Sequence, residues 1–294
     1  MEVSLLFLSM AFEKFNQLWN NGSSAPPINT LIRNLSEGRT VLVTGANSGL
    51  GLEAARHYVQ LGASKVILAV RTASKGEAAR EDIERTTGCK GVVEVWILSY
   101  DSIASIEAFS SRITSEISSL DIVLLNAGVS KAEFGVSNEG WEETIQVNVL
   151  STVRLALLLL PKLKDSKTAS WTPRLSFVSS IGHKSVSSFP GQNAPNILKA
   201  LNEPDVFGGI NFRYMVSKLL LVYAVNEIGK LALSSNGEVL VVVTYSCLDM
   251  TRSGIARDFT GNPILVGIMG ILITSEEGKV LQKKVWGEVL QVIQ

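Results

Sequence analysis

A chain of 294 residues, 46% of them hydrophobic, is long enough to enclose the core of one α/β domain. Its 27 basic and 27 acidic residues balance, which argues against a nucleic-acid partner or an anionic surface. The two histidines and two widely separated cysteines offer no usual zinc or disulfide spacing. We therefore expect no metal site and a reducing, cytoplasmic environment.

The apolar N-terminus is too short to span a bilayer, and Glu2 stands where a signal peptide would be basic. We predict a helix to about Asn20 that packs on the domain, with a peripheral membrane anchor as the alternative. A polar run with two prolines follows as a linker. Residues 1–37 are thus predicted as an N-terminal helix and linker, and residues 38–294 as one domain.

The predicted first strand, at residues 40–44, runs into a glycine-rich turn and then into an amphipathic helix. Glycines let the backbone pass close to a phosphate, and the free N–H groups at a helix start favour an anion. Such a turn holds the pyrophosphate of a dinucleotide, although an ordinary strand-to-helix turn can have the same letters. The candidate residues are Gly45, Asn47, Ser48, Gly49, Leu50 and Gly51.

The second strand is predicted at residues 65–70, with Arg71 at its end. In dinucleotide-binding folds this strand end faces the adenosine ribose, where a carboxylate suits NAD and an arginine suits the 2′-phosphate of NADP. Arg71 is followed by Lys75, and the first carboxylate is Glu77. The alternative is a solvated surface charge, but the pattern favours NADP, bound in part by Arg71 and Lys75.

Further strands are predicted at residues 92–98, 120–125, 174–179 and 237–244, and helices at 73–86, 102–118, 139–164 and 214–233. The helix at 139–164 is mostly apolar. Arg154 and Pro161 leave its apolar run too short to cross a membrane, so we predict no integral membrane span.

Tyr214 and Lys218 stand four residues apart and share one face of a predicted helix. A tyrosine hydroxyl can donate a proton to a carbonyl oxygen as hydride arrives from a cofactor. Its unperturbed pKa of about 10 is too high for easy exchange. A nearby lysine ammonium stabilises the phenolate, so we predict that Lys218 lowers the pKa of Tyr214.

Several motifs occur in the order of one enzyme family. They are T-G-A-N-S-G-L-G from Thr44, N-A-G from Asn126, Q-V-N-V around Asn148, V-S-S-I-G-H from Val178 and Y-x-x-x-K from Tyr214. The set resembles the short-chain dehydrogenase/reductase family. It is most similar to the retinol-dehydrogenase-like branch and also resembles reductases of fungal secondary-metabolite clusters. The resemblance implies a Rossmann fold, that is, a doubly wound parallel α/β sheet in a single domain.

The resemblance also assigns roles to residues. It implies a catalytic set of Asn148, Ser180, Tyr214 and Lys218. In it Asn148 holds a water that links to the lysine, and Ser180 binds the substrate carbonyl, with Ser179 as the alternative if the register shifts by one. Lys218 and Tyr214 also contact the cofactor. Two further cofactor residues are implied, Asn126 at a strand end and Thr251 beside the nicotinamide carboxamide.

The chain departs from the family pattern at several places. Ser99 stands where relatives have an aspartate, so Ser99 replaces it or Asp101 is its displaced equivalent. The Pro-Gly turn after the sixth strand is absent. No β-rich run follows Thr274, so we predict that the usual seventh strand is lacking and that a closing helix at 279–293 ends the domain. An irregular insertion around 184–210 is expected beside the pocket, where it would select the substrate.

The sequence therefore predicts an NADP-dependent oxidoreductase that interconverts a ketone or aldehyde and an alcohol on a small hydrophobic substrate, in secondary-metabolite biosynthesis. The alternative is a non-catalytic NADP(H)-binding protein or an inactive paralogue, because of the departures above. The resemblance implies a homodimer through the long helices near Glu139 and Gly208, with a monomer as the alternative.

Overall fold

A computed structural model describes residues 36–233, 238–246 and 276–293. The predicted N-terminal helix and linker lie almost entirely outside these ranges. So do the predicted cofactor residue Thr251 and the rest of residues 247–275. Those predictions stay predictions.

Six parallel strands form one sheet in the order β3-β2-β1-β4-β5-β6. This order is that of a doubly wound fold, with the reversal of direction between β1 and β4. The strands are β1 (Thr40–Thr44), β2 (Lys65–Val70), β3 (Val93–Ile97), β4 (Ile122–Leu125), β5 (Arg174–Ser180) and β6 (Leu240–Ser246).

The helices cover both faces of the sheet. They are α1 (Gly49–Gln60), α2 (Ala73–Thr87), α3 (Ile103–Glu116), α4 (Glu143–Asp165), α5 (Ile197–Leu201), α6 (Ile210–Leu233) and α7 (Glu276–Ile293). Residues of β1 alternate between the two cores. Val41 and Val43 pack in the cluster with α1 and α2, and Leu42 packs in the cluster with α3, α4, α6 and α7. The doubly wound fold predicted from the sequence is confirmed.

Within the described residues the sheet ends at β6, which pairs with β5 from Leu240 to Ser246. The six described strands agree with the prediction that the seventh strand is lacking. The closing helix α7 packs against α6 and α5.

The long helix α4 changes pitch near its start. One α-helical turn, Glu143–Ile145, widens into a π-helix at Gln146–Ser151 before the α-helix continues from Thr152–Asp165. Single π-helical turns often occur at functional sites.

By length and composition alone α4 could cross a membrane, but 78% of its most apolar window is buried inside the protein. Its apolar residues are therefore explained by the domain core.

The insertion around 184–210 is more ordered than the sequence predicted, because it contains the helix α5. The carboxylate of Glu288, from α7, accepts hydrogen bonds from the N–H groups of Ile197 and Leu198 at 2.9 and 2.8 Å. A carboxylate at a helix start stabilises otherwise unpaired N–H groups. The helix start is thus stabilised both by its local N-cap Asn196, which accepts from the N–H of Lys199 at 2.8 Å, and by a residue about 90 positions away that local sequence patterns do not reveal.

Candidate active site

The glycine-rich turn between β1 and α1 uses two left-handed backbone positions. Gly45 has φ +65° and Gly49 has φ +57°. Residues with a Cβ rarely adopt such angles, so glycine is required at both positions. The start of α1 follows the carboxyl end of β1, so its N–H groups lie at the sheet edge where a helix start favours an anion.

Gly51 is required for a different reason, which is close packing. A Cβ added there would lie 2.4 Å from Nδ2 of Asn126 and 2.6 Å from the carbonyl oxygen of Gly45. The backbone of α1 therefore approaches the turn more closely than any side chain permits. The absence of a Cβ leaves the turn its compact shape.

Asn126 connects the ends of β1 and β4 across the reversal point of the sheet. Its Nδ2 donates to the carbonyl oxygen of Thr44 at 3.0 Å. The hydroxyl oxygen of the fully buried Thr44 accepts from the N–H groups of Asn126 and Ala127, both at 3.0 Å. These bonds hold the two strand ends together at the crevice where doubly wound folds bind nucleotides.

The other residues predicted to bind the nucleotide lie in the glycine-rich turn and are partly accessible to solvent. Asn47 and Leu50 are half-buried and Ser48 is exposed. The structure brings these turn residues to one edge with Asn126. Ser99, which stands in place of the family aspartate, donates its backbone N–H to the hydroxyl of Ser105 at 2.9 Å.

Arg71 lies at the end of β2 as predicted, and its side chain is 72% exposed. Its Nη1 atom donates to Oδ2 of Asp101 at 3.3 Å. The sequence did not foresee this pair, because the two residues are 30 positions apart. Lys75 is exposed on the first turn of α2. Both cations are thus accessible to a ligand from solvent. Asp101 partly offsets the charge of Arg71.

Asn148 lies in the π-helix, and its side-chain amide is hydrogen-bonded on both sides. Its Oδ1 accepts from the N–H of Val129 at 2.8 Å, and its Nδ2 donates to the carbonyl oxygen of Val129 at 2.8 Å. Nδ2 also donates to Oγ of Ser217 at 2.9 Å. The side chain therefore fixes the loop after β4 against α6.

Ser180 and Tyr214 meet at the carboxyl end of β5, where the hydroxyl of Ser180 lies close enough to the Tyr214 phenol to lower its pKa. Oγ of Ser180 also accepts from the N–H of Gly182 at 3.2 Å. The hydroxyl of the neighbouring Ser179 is turned away and donates to the carbonyl oxygen of Lys218 at 3.3 Å. Of the two serines considered from the sequence, the geometry places Ser180 beside the tyrosine.

Lys218 lies one helical turn after Tyr214 and is buried with it. Nζ is 5.5 Å from the centroid of the Tyr214 ring and donates to the carbonyl oxygen of Val178 at 2.9 Å. The residues are 2% and 1% exposed, respectively. A Cβ on Gly128 would lie 3.4 Å from Nζ and 3.1 Å from Oδ1 of Asn148, so both groups border this glycine.

Burial shifts the ionisation of both groups. It raises the pKa of Tyr214 to about 12, against the opposing effect of the nearby Ser180 hydroxyl. It lowers the pKa of Lys218 to about 8. Desolvation disfavours the phenolate and the ammonium alike. The predicted lowering of the tyrosine pKa is therefore not what this structure shows, because loss of water outweighs the opposing effect of Ser180.

Three residues were not assigned roles from the sequence, although two of them stood inside recognised motifs. Ser217 accepts from Asn148 and donates to the carbonyl oxygen of Tyr214 at 2.7 Å. Thr44 holds Asn126. His183, buried after the serine motif, is hydrogen-bonded through Nδ1 to the carbonyl oxygen of Ser180. The available signal was a polar side chain inside or between the letters of a motif that is expected to be buried, because such a side chain needs a hydrogen-bond partner.

No group of three or more metal-binding side chains occurs in the part of the chain that the structure describes. The site consists instead of a glycine turn, a strand-end asparagine and the Ser180, Tyr214 and Lys218 group along one sheet edge.

Comparison with known proteins supports the same fold. Residues 39–188 match the short chain dehydrogenase family. Short-chain dehydrogenase/reductase phmF of Phaeosphaeria nodorum is 38% identical, with 87% of this chain and 86% of the relative covered.

Two solved structures share the fold. A short chain dehydrogenase from Shigella flexneri, complexed with NADP, has a TM-score of 0.56 and 25% identity, with coverage of 86% of this chain and 93% of the other. A short chain dehydrogenase/reductase from Burkholderia phymatum, in complex with NAD, has a TM-score of 0.57 and 18% identity, with coverage of 88% and 84%. This chain belongs to the short-chain dehydrogenase/reductase family.

Proposed function

We propose that the protein is an NADP(H)-dependent oxidoreductase that interconverts a ketone or aldehyde and the corresponding alcohol. The observation that carries this proposal is the buried group of Ser180, Tyr214 and Lys218, in which Nζ of Lys218 lies 5.5 Å from the centroid of the Tyr214 ring. Such a group at the carboxyl edge of a nucleotide-binding sheet suits proton transfer to a carbonyl oxygen.

The residues present fit a nicotinamide dinucleotide. Gly45 and Gly49 supply left-handed backbone angles, and Gly51 supplies close packing, since a Cβ there would collide with Asn126. A turn of this shape would let a pyrophosphate approach the N–H groups at the start of α1. Arg71 and Lys75 would hold a 2′-phosphate, which is the feature that favours NADP over NAD. The bound cofactor supplies the hydride, and the protein supplies position, charge and the proton.

In the direction of reduction, Tyr214 would donate its hydroxyl proton to the carbonyl oxygen. The raised pKa keeps this hydroxyl protonated at neutral pH, as a proton donor must be. Ser180 would hydrogen-bond the same oxygen and help to polarise the carbonyl. The Lys218 ammonium, protonated below about pH 8, would stabilise the phenolate left behind.

We further propose a small hydrophobic substrate. Phe189 and Phe207 of the insertion are buried, so they support the substrate side of the site from within the core. The fungal origin of relatives such as the phmF protein agrees with a role in secondary metabolism. A cytoplasmic location and a homodimer complete the proposal.

The proposal is tested by titrating the purified protein with NADPH and NADH and then assaying NADPH consumption with a panel of apolar ketones and aldehydes. We expect tighter binding of NADPH and turnover of at least one carbonyl compound. Arg71→Ala should weaken NADPH binding and leave NADH binding unchanged, with Arg85→Ala as a matched control on the far turn of α2. NADPH binding without turnover on any compound would favour a non-catalytic binding protein.

A further inference from the structure

A buried ion pair lies next to the candidate catalytic group. Arg213, immediately before Tyr214 in α6, is 1% exposed, and Glu142, immediately before α4, is fully buried. Nε of Arg213 is 3.9 Å from Oε2 of Glu142. Long charged side chains are rarely buried so completely unless they are paired, because both ions must give up water. The pair therefore calls for an explanation beyond surface electrostatics.

Arg213 joins the catalytic helix to the insertion. Its Nη2 atom donates to the carbonyl oxygen of Val206 at 2.9 Å, and its guanidinium lies 5.4 Å from the ring centroid of Phe207. Phe207 in turn makes an edge-to-face contact with Phe134, in the loop after β4, with the centroids 6.1 Å apart. One side chain thus contacts the insertion from the residue next to Tyr214.

Glu142 joins the same insertion to the helix that carries Asn148. Its carboxylate accepts from the N–H groups of Thr144 and Ile145 at 2.9 and 3.0 Å, which caps α4. Its own backbone N–H donates to Oδ1 of Asn202, in the insertion, at 2.6 Å. The start of α4 is therefore held by the insertion and by the ion pair.

We propose that Arg213 and Glu142 are positioning residues that anchor the substrate-side insertion between the helices carrying Asn148 and Tyr214. The inference rests on the proposed function, because the anchored wall matters for turnover only if Tyr214 acts on a substrate there. The pair touches neither the glycine turn nor Arg71. It therefore sets the geometry of the substrate side without changing the nucleotide side.

The test compares the double variant R213M/E142Q with the wild type. Removing one partner alone would leave a buried charge unpaired and endanger folding, whereas the double variant removes both charges. Glutamine retains an oxygen that can still cap α4, and methionine retains apolar bulk. The control is K65M/E94Q, which removes the half-exposed pair with a 2.6 Å contact between β2 and β3.

Two readouts are combined. Hydrogen–deuterium exchange reports the order of residues 134–145 and 197–207, and steady-state kinetics report kcat, KM for a carbonyl substrate and the Kd of NADPH. In R213M/E142Q we expect faster exchange in both segments and a kcat/KM lower by roughly 10- to 100-fold, since small misplacements near reacting groups have effects of this size. The Kd of NADPH should stay unchanged, and K65M/E94Q should behave as wild type.

Unchanged exchange in both segments would overturn the proposal whether or not the protein is an active enzyme. Faster exchange with unchanged kinetics would overturn the positioning role. If the wild type turns over no carbonyl while the variant exchanges faster, the proposed function fails and the anchoring of the insertion stands.

Discussion

Nδ2 of Asn148 donates a hydrogen bond of 2.9 Å to Oγ of Ser217, although the two residues are 69 positions apart. Oγ of Ser217 in turn donates a hydrogen bond of 2.7 Å to the carbonyl oxygen of Tyr214. The asparagine of the π-helix is therefore linked to the candidate proton donor through one buried hydroxyl.

Ser217→Ala should remove this link without removing a group that contacts substrate. It leaves one donor of Asn148 unsatisfied in a buried position, which costs about 1–3 kcal/mol of stability. We expect kcat to fall about tenfold through loss of alignment while the Kd of NADPH is retained. Ser166→Ala, which removes a 2.8 Å bond to the N–H of Leu120, is the control that should lower stability but not kcat. Equal kcat values in the two variants would refute the role of Ser217.

Lys218→Met should inactivate the enzyme and stabilise the fold. The lowered pKa of Lys218, about 8 against an ordinary 10.5, corresponds to a penalty of about 3 kcal/mol for burying the ammonium, at about 1.4 kcal/mol per pH unit. The penalty is present in full below pH 8 and is relieved as the pH rises from 8 to 10.5, since the unfolded chain then binds more protons. The variant should unfold at higher temperature near pH 7 and lack this pH dependence.

Exposed Lys199→Met is the control for that measurement, because its charge stays in water. Thermal unfolding at pH 7 should separate the two variants clearly. A Lys218→Met protein less stable than wild type would mean that the ammonium is favourably bound in the folded protein.

Gly51→Ala should damage the nucleotide side of the site. The added methyl group would lie 2.4 Å from Nδ2 of Asn126 and 2.6 Å from the carbonyl oxygen of Gly45, so the turn has to move. We expect a loss of about 1–3 kcal/mol in stability and a much weaker thermal shift on addition of NADPH. Gly229→Ala, in an uncrowded stretch of α6, should be neutral or stabilise by about 0.5–1 kcal/mol. An unchanged NADPH titration for Gly51→Ala would contradict the assignment of the turn.

The pH dependence of carbonyl reduction should follow Lys218. The raised pKa of Tyr214, about 12, keeps its proton in place throughout the ordinary range. The Lys218 ammonium is lost as the pH rises through about 8, and with it the stabilisation of the phenolate. We therefore expect kcat at saturating substrate to decline above pH 8. A kcat that holds constant to pH 10 would show that the charge on Lys218 is not needed.

The parts of this molecule that the sequence revealed are those determined by short-range spacing. The strand, glycine turn and helix at Gly45 to Gly51, and the pair Tyr214 and Lys218, are local patterns that the fold brings to the expected sheet edge. The π-helical turn around Asn148 was not predicted, because its carbonyl pairing depends on packing rather than on residue type.

Long-range partners were the features that could not be predicted. Asp101 meets Arg71, and Glu288 caps α5, only because distant elements pack together. The pKa of Tyr214 was expected to fall because a lysine stands nearby. The pKa instead rises, because burial of Tyr214 disfavours the phenolate. The depth of this burial cannot be read from the sequence motif.

The most direct test of the central claim is the NADPH-dependent turnover of an apolar ketone by Tyr214→Phe beside the wild type. The substitution removes only the phenol hydroxyl, which lies in the buried group with Ser180 and Lys218. Loss of a general acid typically costs 10²–10⁴-fold, so we predict a fall of about this size in kcat with the Kd of NADPH retained. A Tyr214→Phe protein that keeps wild-type turnover would contradict the assignment of Tyr214 as the proton donor.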